Sequence, residues 1–210
     1  MTTFTDAPLF LSALVVGLSI AAPVGPIGLL TIQRTLHQGF GAGLATGLGA
    51  ATADSLYGAV GAFGVTWAIA WLTGLKLPLA LVGGALLLWL AWQTWRSPLA
   101  AQSATAAGHN LWGMFGGTLV LTLSNPATIL SFIAIFGALG GSMAGQASPW
   151  VMVAGVWVGS ALWWLMLAGV VSRTRHQFSD AWRQRINTGS ALFLAAFALW
   201  QWVGVLRGLI

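Results

Sequence analysis

Six runs of apolar residues, each about as long as a membrane crossing, leave this chain few ways to fold. About 20 apolar residues cross a bilayer as helix, and the runs fall at 8–32, 42–72, 79–95, 111–139, 150–171 and 188–206. Charge content closes the alternative. Charged residues are 5% of the 210, against about a quarter in soluble domains. So few charges cannot cover a water-facing surface. The sequence predicts an all-α integral membrane protein, a single transmembrane domain over 1–210.

Composition changes mark the breaks. Residues 33–40 hold Arg34 and His37, and 73–78 hold Lys76 and Pro78. Residues 96–110 read as a Ser/Ala/Gly/Thr-rich linker, 140–149 as a glycine-rich turn and 172–187 as a basic loop. No Lys or Arg precedes Arg34, so the first run lacks the basic flank of a signal peptide and is expected as a retained helix. The second run exceeds a crossing and is expected to tilt or to end along the interface near Trp67 and Trp71.

Loops after runs one, three and five carry Arg34, Arg96, Arg173, Arg175, Arg183 and Arg185; the other side has Lys76 and Arg207. The positive-inside rule then puts the odd loops in the cytoplasm and both termini outside the cell membrane. Trp92, Trp95, Trp112, Trp150, Trp200 and Trp202, like Trp67 and Trp71, sit near run ends and suit an interfacial belt. Trp157, Trp163 and Trp164 lie deeper and are expected in packing or lipid contact.

The same residues exclude several functions. There is no cysteine, hence no disulfide or thiol redox chemistry. There is no glutamate, and the acids are Asp6, Asp54 and Asp180. Zinc helices and paired-glutamate iron sites are therefore out, and no metal or organic cofactor is expected. His37, His109 and His176 fall in expected loops, far apart in sequence, poor material for a nucleophilic triad. The net charge of +5 resides in short loops between apolar runs and does not signal nucleic acid.

Run one contains Pro23-Val24-Gly25-Pro26, and run four contains Ser124-Asn125-Pro126. Helix breakers inside a bilayer free backbone groups that only protein or a wet cavity can satisfy. Matching interruptions in two halves point to a substrate site between repeats. Three runs per half make the halves, 8–95 and 111–206, inverted repeats joined by 96–110, with helices one and four broken. A half-helix starting at Pro26 would offer free N–H groups and a positive dipole end to an anion. Asn125 adds an amide beside the second break. Two proline kinks that only shape packing are the plainer alternative.

In run two, positions Gly43, Gly47, Ala50, Asp54, Gly58 and Gly61 share one helical face, small everywhere except at the acid. Such a stripe meets another helix rather than lipid. Asp54 is the sole acid within any run, and intramembrane acids usually serve ion, proton or substrate movement. It is the candidate for proton coupling; a structural hydrogen bond to Thr46, Thr52, Tyr57 or a neighbouring helix is the alternative. Ser124, Thr128, Ser131 and Ser160 are weaker candidates, because such hydroxyls often bond their own helix. Gly155 and Gly159 have a close-packing spacing that suits a dimer or packing within one subunit.

These segments resemble the LysE/RhtB family of amino-acid exporters. APVGPIGLLTIQRTLHQGFGAGLATGLGAATADSLYG is similar to that family's first two helices, LSNPATILSFIAIF to its Asn-Pro helix and GVWVGSALWW to its fifth. The likeness spans about 9–206. It implies proton-driven export of a small molecule from the bacterial cytoplasm, without cofactor, and is compatible with a homodimer. The matched positions are Pro23, Gly25, Pro26, Asp54, Asn125 and Pro126. Many members have Pro-Gly-Pro in the first break and Lys soon after Asn-Pro; here Val24 intervenes, and Ala127-Thr128 follow. Substrate choice therefore does not carry over.

The leading expectation is a secondary exporter of amino acids or similar zwitterions, its substrate held by Pro23, Gly25, Pro26, Asn125, Pro126 and Thr128, with Gly43, Gly47, Gly58 and Gly159 packing helices. A cation exporter has only one acid and no thiol to offer as ligands. An assembly subunit would use the glycine faces on partner helices. A membrane enzyme lacks a nucleophile, base and orienting group.

Overall fold

The computed structural model describes residues 6–23, 25–63, 76–96, 110–125, 128, 129, 131, 132, 148–177 and 179–207. Seven helices account for most of them: α1 Asp6–Ala21, α2 Pro26–Gln38, α3 Phe40–Ala62, α4 Lys76–Arg96, α5 Leu111–Leu123, α6 Pro149–Thr174 and α7 Asp180–Leu206. Their large apolar side chains point outward, among them Leu11 and Val15 on α1, Trp89 on α4, Leu165 and Met166 on α6, and Leu192 and Leu199 on α7. Inside lie Thr31, Gln33, Thr46, Asp54, Thr118, Ser160, Asn187 and Gln201. Greasy outside and polar within is the arrangement a bilayer permits and water does not.

Helix boundaries follow from local chemistry. Pro23 ends α1, since the residue before a proline is driven from the helical region. Pro26 opens α2 at its first position, where a missing N–H costs nothing. The axes of α1 and α2 differ by 79°. Asn110 caps α5, its side chain accepting from the Gly113 N–H at 2.8 Å. That helix ends at Leu123, ahead of Asn125. Helical backbone is found again at 128, 129, 131 and 132. Among the described residues, α6 and α7 are each long and apolar enough to cross a membrane, and the bent α1–α2 pair adds a third crossing if counted as one.

Two expected loops are helical. Residues 33–40 are not a loop: α2 continues to Gln38, and the turn is confined to Gly39, at φ +91°, whose N–H donates to the Thr35 carbonyl at 3.0 Å. The reason is length. A helix that begins inside the bilayer needs about ten residues to climb about 15 Å to its surface. Arg34 and His37 are therefore helical residues. Residues 172–187 likewise shrink to a 3-10 turn, Arg175–Gln177, between α6 and α7. The interfacial stretch at Trp67 and Trp71, the linker 97–109, His109, Pro126 and the turn at 140–147 lie outside the described residues.

Packing uses the glycines. A Cβ on Gly159 would stand 2.0 Å from the Leu14 carbonyl oxygen, and one on Gly17 2.2 Å from that of Val156, so α1 and α6 touch backbone to backbone. Gly155 meets Ala13 and Phe10 in the same seam. Packing within the chain thus occupies the Gly155/Gly159 pair. On α3, Gly47 lies against Trp164, Gly58 against Val156 and Gly43 against Thr35 and Ala168, while Gly49 meets the Phe115 carbonyl of α5. Helix α3 is wedged between α5 and α6, and α4 pairs with α7.

Buried amides tie the last pair together. Gln33 Nε2 donates to Asn187 Oδ1, Asn187 Nδ2 donates to the Thr94 carbonyl at 2.8 Å, and Thr94 Oγ1 donates to Gln33 Oε1 at 3.3 Å. Further along, Gln201 Nε2 donates to the Ala80 carbonyl at 2.7 Å. Arg175 approaches Gly39, at the end of the bundle shared with Asn187 and Thr94.

Candidate functional site

The two helix breaks meet. A cavity of about 210 Å³ is lined by Pro23, Gly25 and Pro26 from the first break and by Asn125, Thr128 and Ser131 from the second. Asp54 of α3 stands in its wall, 3% exposed. Thr122, Trp164 and Phe197 complete much of the lining. Residues from α1, α2, α3, α5, α6 and α7 thus converge on one chamber.

Each break leaves backbone groups for the chamber. Pro26 lacks an N–H, and the Leu29 N–H donates to the Gly25 carbonyl at 3.1 Å. Helix geometry leaves the N–H groups of Ile27 and Gly28 without intrahelical acceptors, and both residues line the cavity. They form the positive end of α2. At the second break, the Tyr57 hydroxyl donates to the Leu123 carbonyl at 2.6 Å. The sole tyrosine of the chain thus satisfies a carbonyl at the end of α5. The Asn125 N–H donates to the Thr122 carbonyl at 3.1 Å, and the Asn125 carbonyl accepts from the Ile129 N–H at 3.2 Å.

Asp54 is held from α6. Ser160 Oγ donates to Asp54 Oδ2 at 2.7 Å, and Trp164 Nε1 donates to Ser160 Oγ at 3.1 Å. Ser160, a weak candidate by sequence, is the residue that orients the acid, and Trp164, expected in packing or lipid contact, is 4% exposed and faces the chamber. Trp157 is the one that reaches outward, 38% exposed. Thr122 was not singled out by sequence at all. It is 3% exposed, lines the chamber, and its Oγ1 has no hydrogen-bond partner among the described residues. Gly43, Gly47, Gly58 and Gly159 lie away from the lining, in the helix seams.

No group of His, Cys, Asp or Glu suited to a metal occurs among the described residues. A larger cavity of about 510 Å³ flanks the other half of α2, with Arg34, His37 and Gln38 in its wall.

Comparison with known proteins decides the family. The profile of the LysE type translocator family matches residues 18–201. The chain belongs to that family. Among curated relatives of this LysE-family chain, the "Chemotactic transduction protein ChpE" of Pseudomonas aeruginosa is 30% identical over 197 residues, 90% of this chain and 95% of that protein. The "Uncharacterized membrane protein YahN" of Escherichia coli is 36% identical over 65% of this chain and 63% of its own length. The "Putative amino acid efflux protein YcgF" of Bacillus subtilis is 34% identical over 62% and 63%, respectively. The match to the latter two thus covers less than two thirds of their length. No solved structure matches the chain. Family membership makes this LysE-type protein a multi-pass membrane translocator of small molecules.

Proposed function

We propose that this LysE-family protein is a secondary exporter of amino acids or related small zwitterions, with Asp54 as the coupling group. One observation carries the reading: both helix breaks and the buried acid border a single chamber. A zwitterion has two poles, and the chamber offers a counterpart to each. The Ile27 and Gly28 N–H groups suit a carboxylate; Asp54, Asn125 and Thr122 suit an ammonium. The volume of about 210 Å³ lies below the roughly 300–1,000 Å³ usual for drug-sized ligands. The cargo is small.

Helix pairing supports two inverted repeats. If α1–α2, α3 and α4 correspond to the α5 segment, α6 and α7, then exchanging the halves turns the α1–α6 contact into the α5–α3 contact. The α3–α6 and α4–α7 contacts map onto themselves, and all four pairs are in contact. Rocking of such halves about the chamber would alternate access. The basic end of the bundle then faces the cytoplasm, with both termini outside; a topology probe fused after Ile210 should report an external location.

The assembly-subunit reading loses its main support, since the glycine faces are consumed inside the chain. The test is efflux from loaded vesicles under an imposed proton gradient, across an amino-acid panel, for wild type and Asp54→Asn. Gradient-driven efflux should be lost in the variant. Counterflow retained in Asp54→Asn would give the acid proton exchange alone; counterflow lost with it would give the acid the ammonium as well. Unchanged gradient-driven efflux removes Asp54 from coupling.

A further inference from the structure

Among the described residues, Arg34 is a cation that meets no anion. Its Nη1 donates to Thr46 Oγ1 at 2.9 Å, Thr118 Oγ1 at 3.1 Å and the Met114 carbonyl at 3.4 Å. All three acceptors are neutral, and among the described residues no acceptor meets Nε or Nη2. Nε and Nη2 form the edge of the guanidinium that receives a carboxylate through two parallel bonds. Asp54 is no counter-ion: it stands eight residues beyond Thr46 on α3, about 12 Å along the helix. A half-buried arginine inside a membrane protein is costly unless paired.

The setting is a cavity of about 510 Å³ along the second half of α2. Gln38 is in its wall, and Gln38 Oε1 is enclosed without a hydrogen-bond donor among the described residues. Leu86, Trp89 and Leu90 supply an apolar side. Leu30 and Leu121, each 3% exposed and packed in one cluster, line this cavity and not the Asp54 chamber. The two spaces therefore follow one another along α2, the first lined by Pro26, Ile27 and Gly28 and the second by Leu30 onward.

We infer that the Arg34 cavity is a second binding site, which takes the carboxylate of a small zwitterion on the Nε/Nη2 edge and its ammonium toward Gln38 Oε1. The site lies at the basic end of the bundle, the side from which an exporter loads, and in that respect it rests on the export reading. It selects cargo by its acidic group before the chamber is reached. An anionic lipid headgroup would present similar chemistry, so the test separates the two sources.

The measurement is the rate of arginine modification by phenylglyoxal, mapped by peptide mass spectrometry, on the full chain in phosphatidylcholine nanodiscs. Isobutyrate is the carboxylate probe and isobutylamine its cationic match. Isobutyrate should slow modification of Arg34 several-fold while leaving the exposed Arg207 unchanged, and isobutylamine should slow neither. Protection should persist in Asp54→Asn, so loss of export in that variant and loss of this site are read separately. Equal slowing at Arg207, no slowing at Arg34, or an Arg34 that phenylglyoxal never reaches overturns the assignment. So does full protection by phosphatidylglycerol nanodiscs without isobutyrate, which would make the site a lipid contact.

Discussion

Ser160 donates its hydroxyl hydrogen to Asp54 at 2.7 Å across 106 positions of sequence, joining α6 to the acid of α3. Trp164 donates to the same oxygen from one turn further along, so a rigid aromatic fixes the serine that fixes the acid. A carboxyl held in this way presents its oxygens in one direction.

Ser160→Ala is therefore expected to reduce gradient-driven efflux by about tenfold, the weight of a lost hydrogen bond of about 1.4 kcal/mol. Trp164→Phe keeps the ring and removes only the outer donor, so its loss should be smaller. Initial efflux rates from vesicles of matched protein content check both, and a Ser160→Ala protein with wild-type rates would deny Ser160 any part in orienting Asp54.

The glycine seam gives a stability prediction. Gly159→Ala forces a methyl group into the Leu14 carbonyl of α1, so α1 and α6 must separate. Overpacking of this kind costs about 1–3 kcal/mol. Among the described residues nothing crowds Gly189 of α7, and alanine there should stabilise the helix by about 0.5–1 kcal/mol. Thermal unfolding in one detergent should lower the midpoint for Gly159→Ala and hold or raise it for Gly189→Ala. The same direction for both would mean that close approach does not limit this seam.

Much of this arrangement is legible in the chain. Proline and glycine inside apolar runs have one physical meaning in a bilayer, and the breaks at Pro23–Pro26 and at Asn125 do meet at a cavity beside Asp54. Arg34 reads as a loop residue, because a cation followed by His37 and Gly39 looks like the end of a span. Only the shortness of a half-helix shows that it must run on to Gln38. Ser160 and Thr122 were harder. A serine or threonine in a helix usually bonds the turn before it, as Thr31, Thr35 and Thr46 do here. Which hydroxyls escape that habit depends on neighbours brought in by the fold.

The Gln33–Asn187–Thr94 cluster should behave as a unit. Asn187→Leu strands the Gln33 amide in a buried setting, at a cost of about 1–3 kcal/mol. Adding Gln33→Leu removes the stranded group, and replacing both partners can be nearly neutral. The double variant should thus recover part of the lost stability. A double-mutant cycle on unfolding midpoints reads the coupling, and strict additivity would show that the two amides act independently.

Thr122 separates binding from folding. Its hydroxyl is buried, faces the chamber and has no hydrogen-bond partner among the described residues. Thr122→Val keeps the shape and removes the lone polar atom. Stability should hold or rise, since an unsatisfied buried hydroxyl is a cost of about 1–3 kcal/mol. Transport should weaken through affinity: KM is expected to rise by about tenfold, one hydrogen bond of about 1.4 kcal/mol, with the maximal rate little changed. Efflux measured over a range of loaded substrate, beside the unfolding midpoint of the same preparation, distinguishes the cases. A Thr122→Val protein with an unchanged KM and a lowered unfolding midpoint would mean that the hydroxyl supports the fold rather than the cargo.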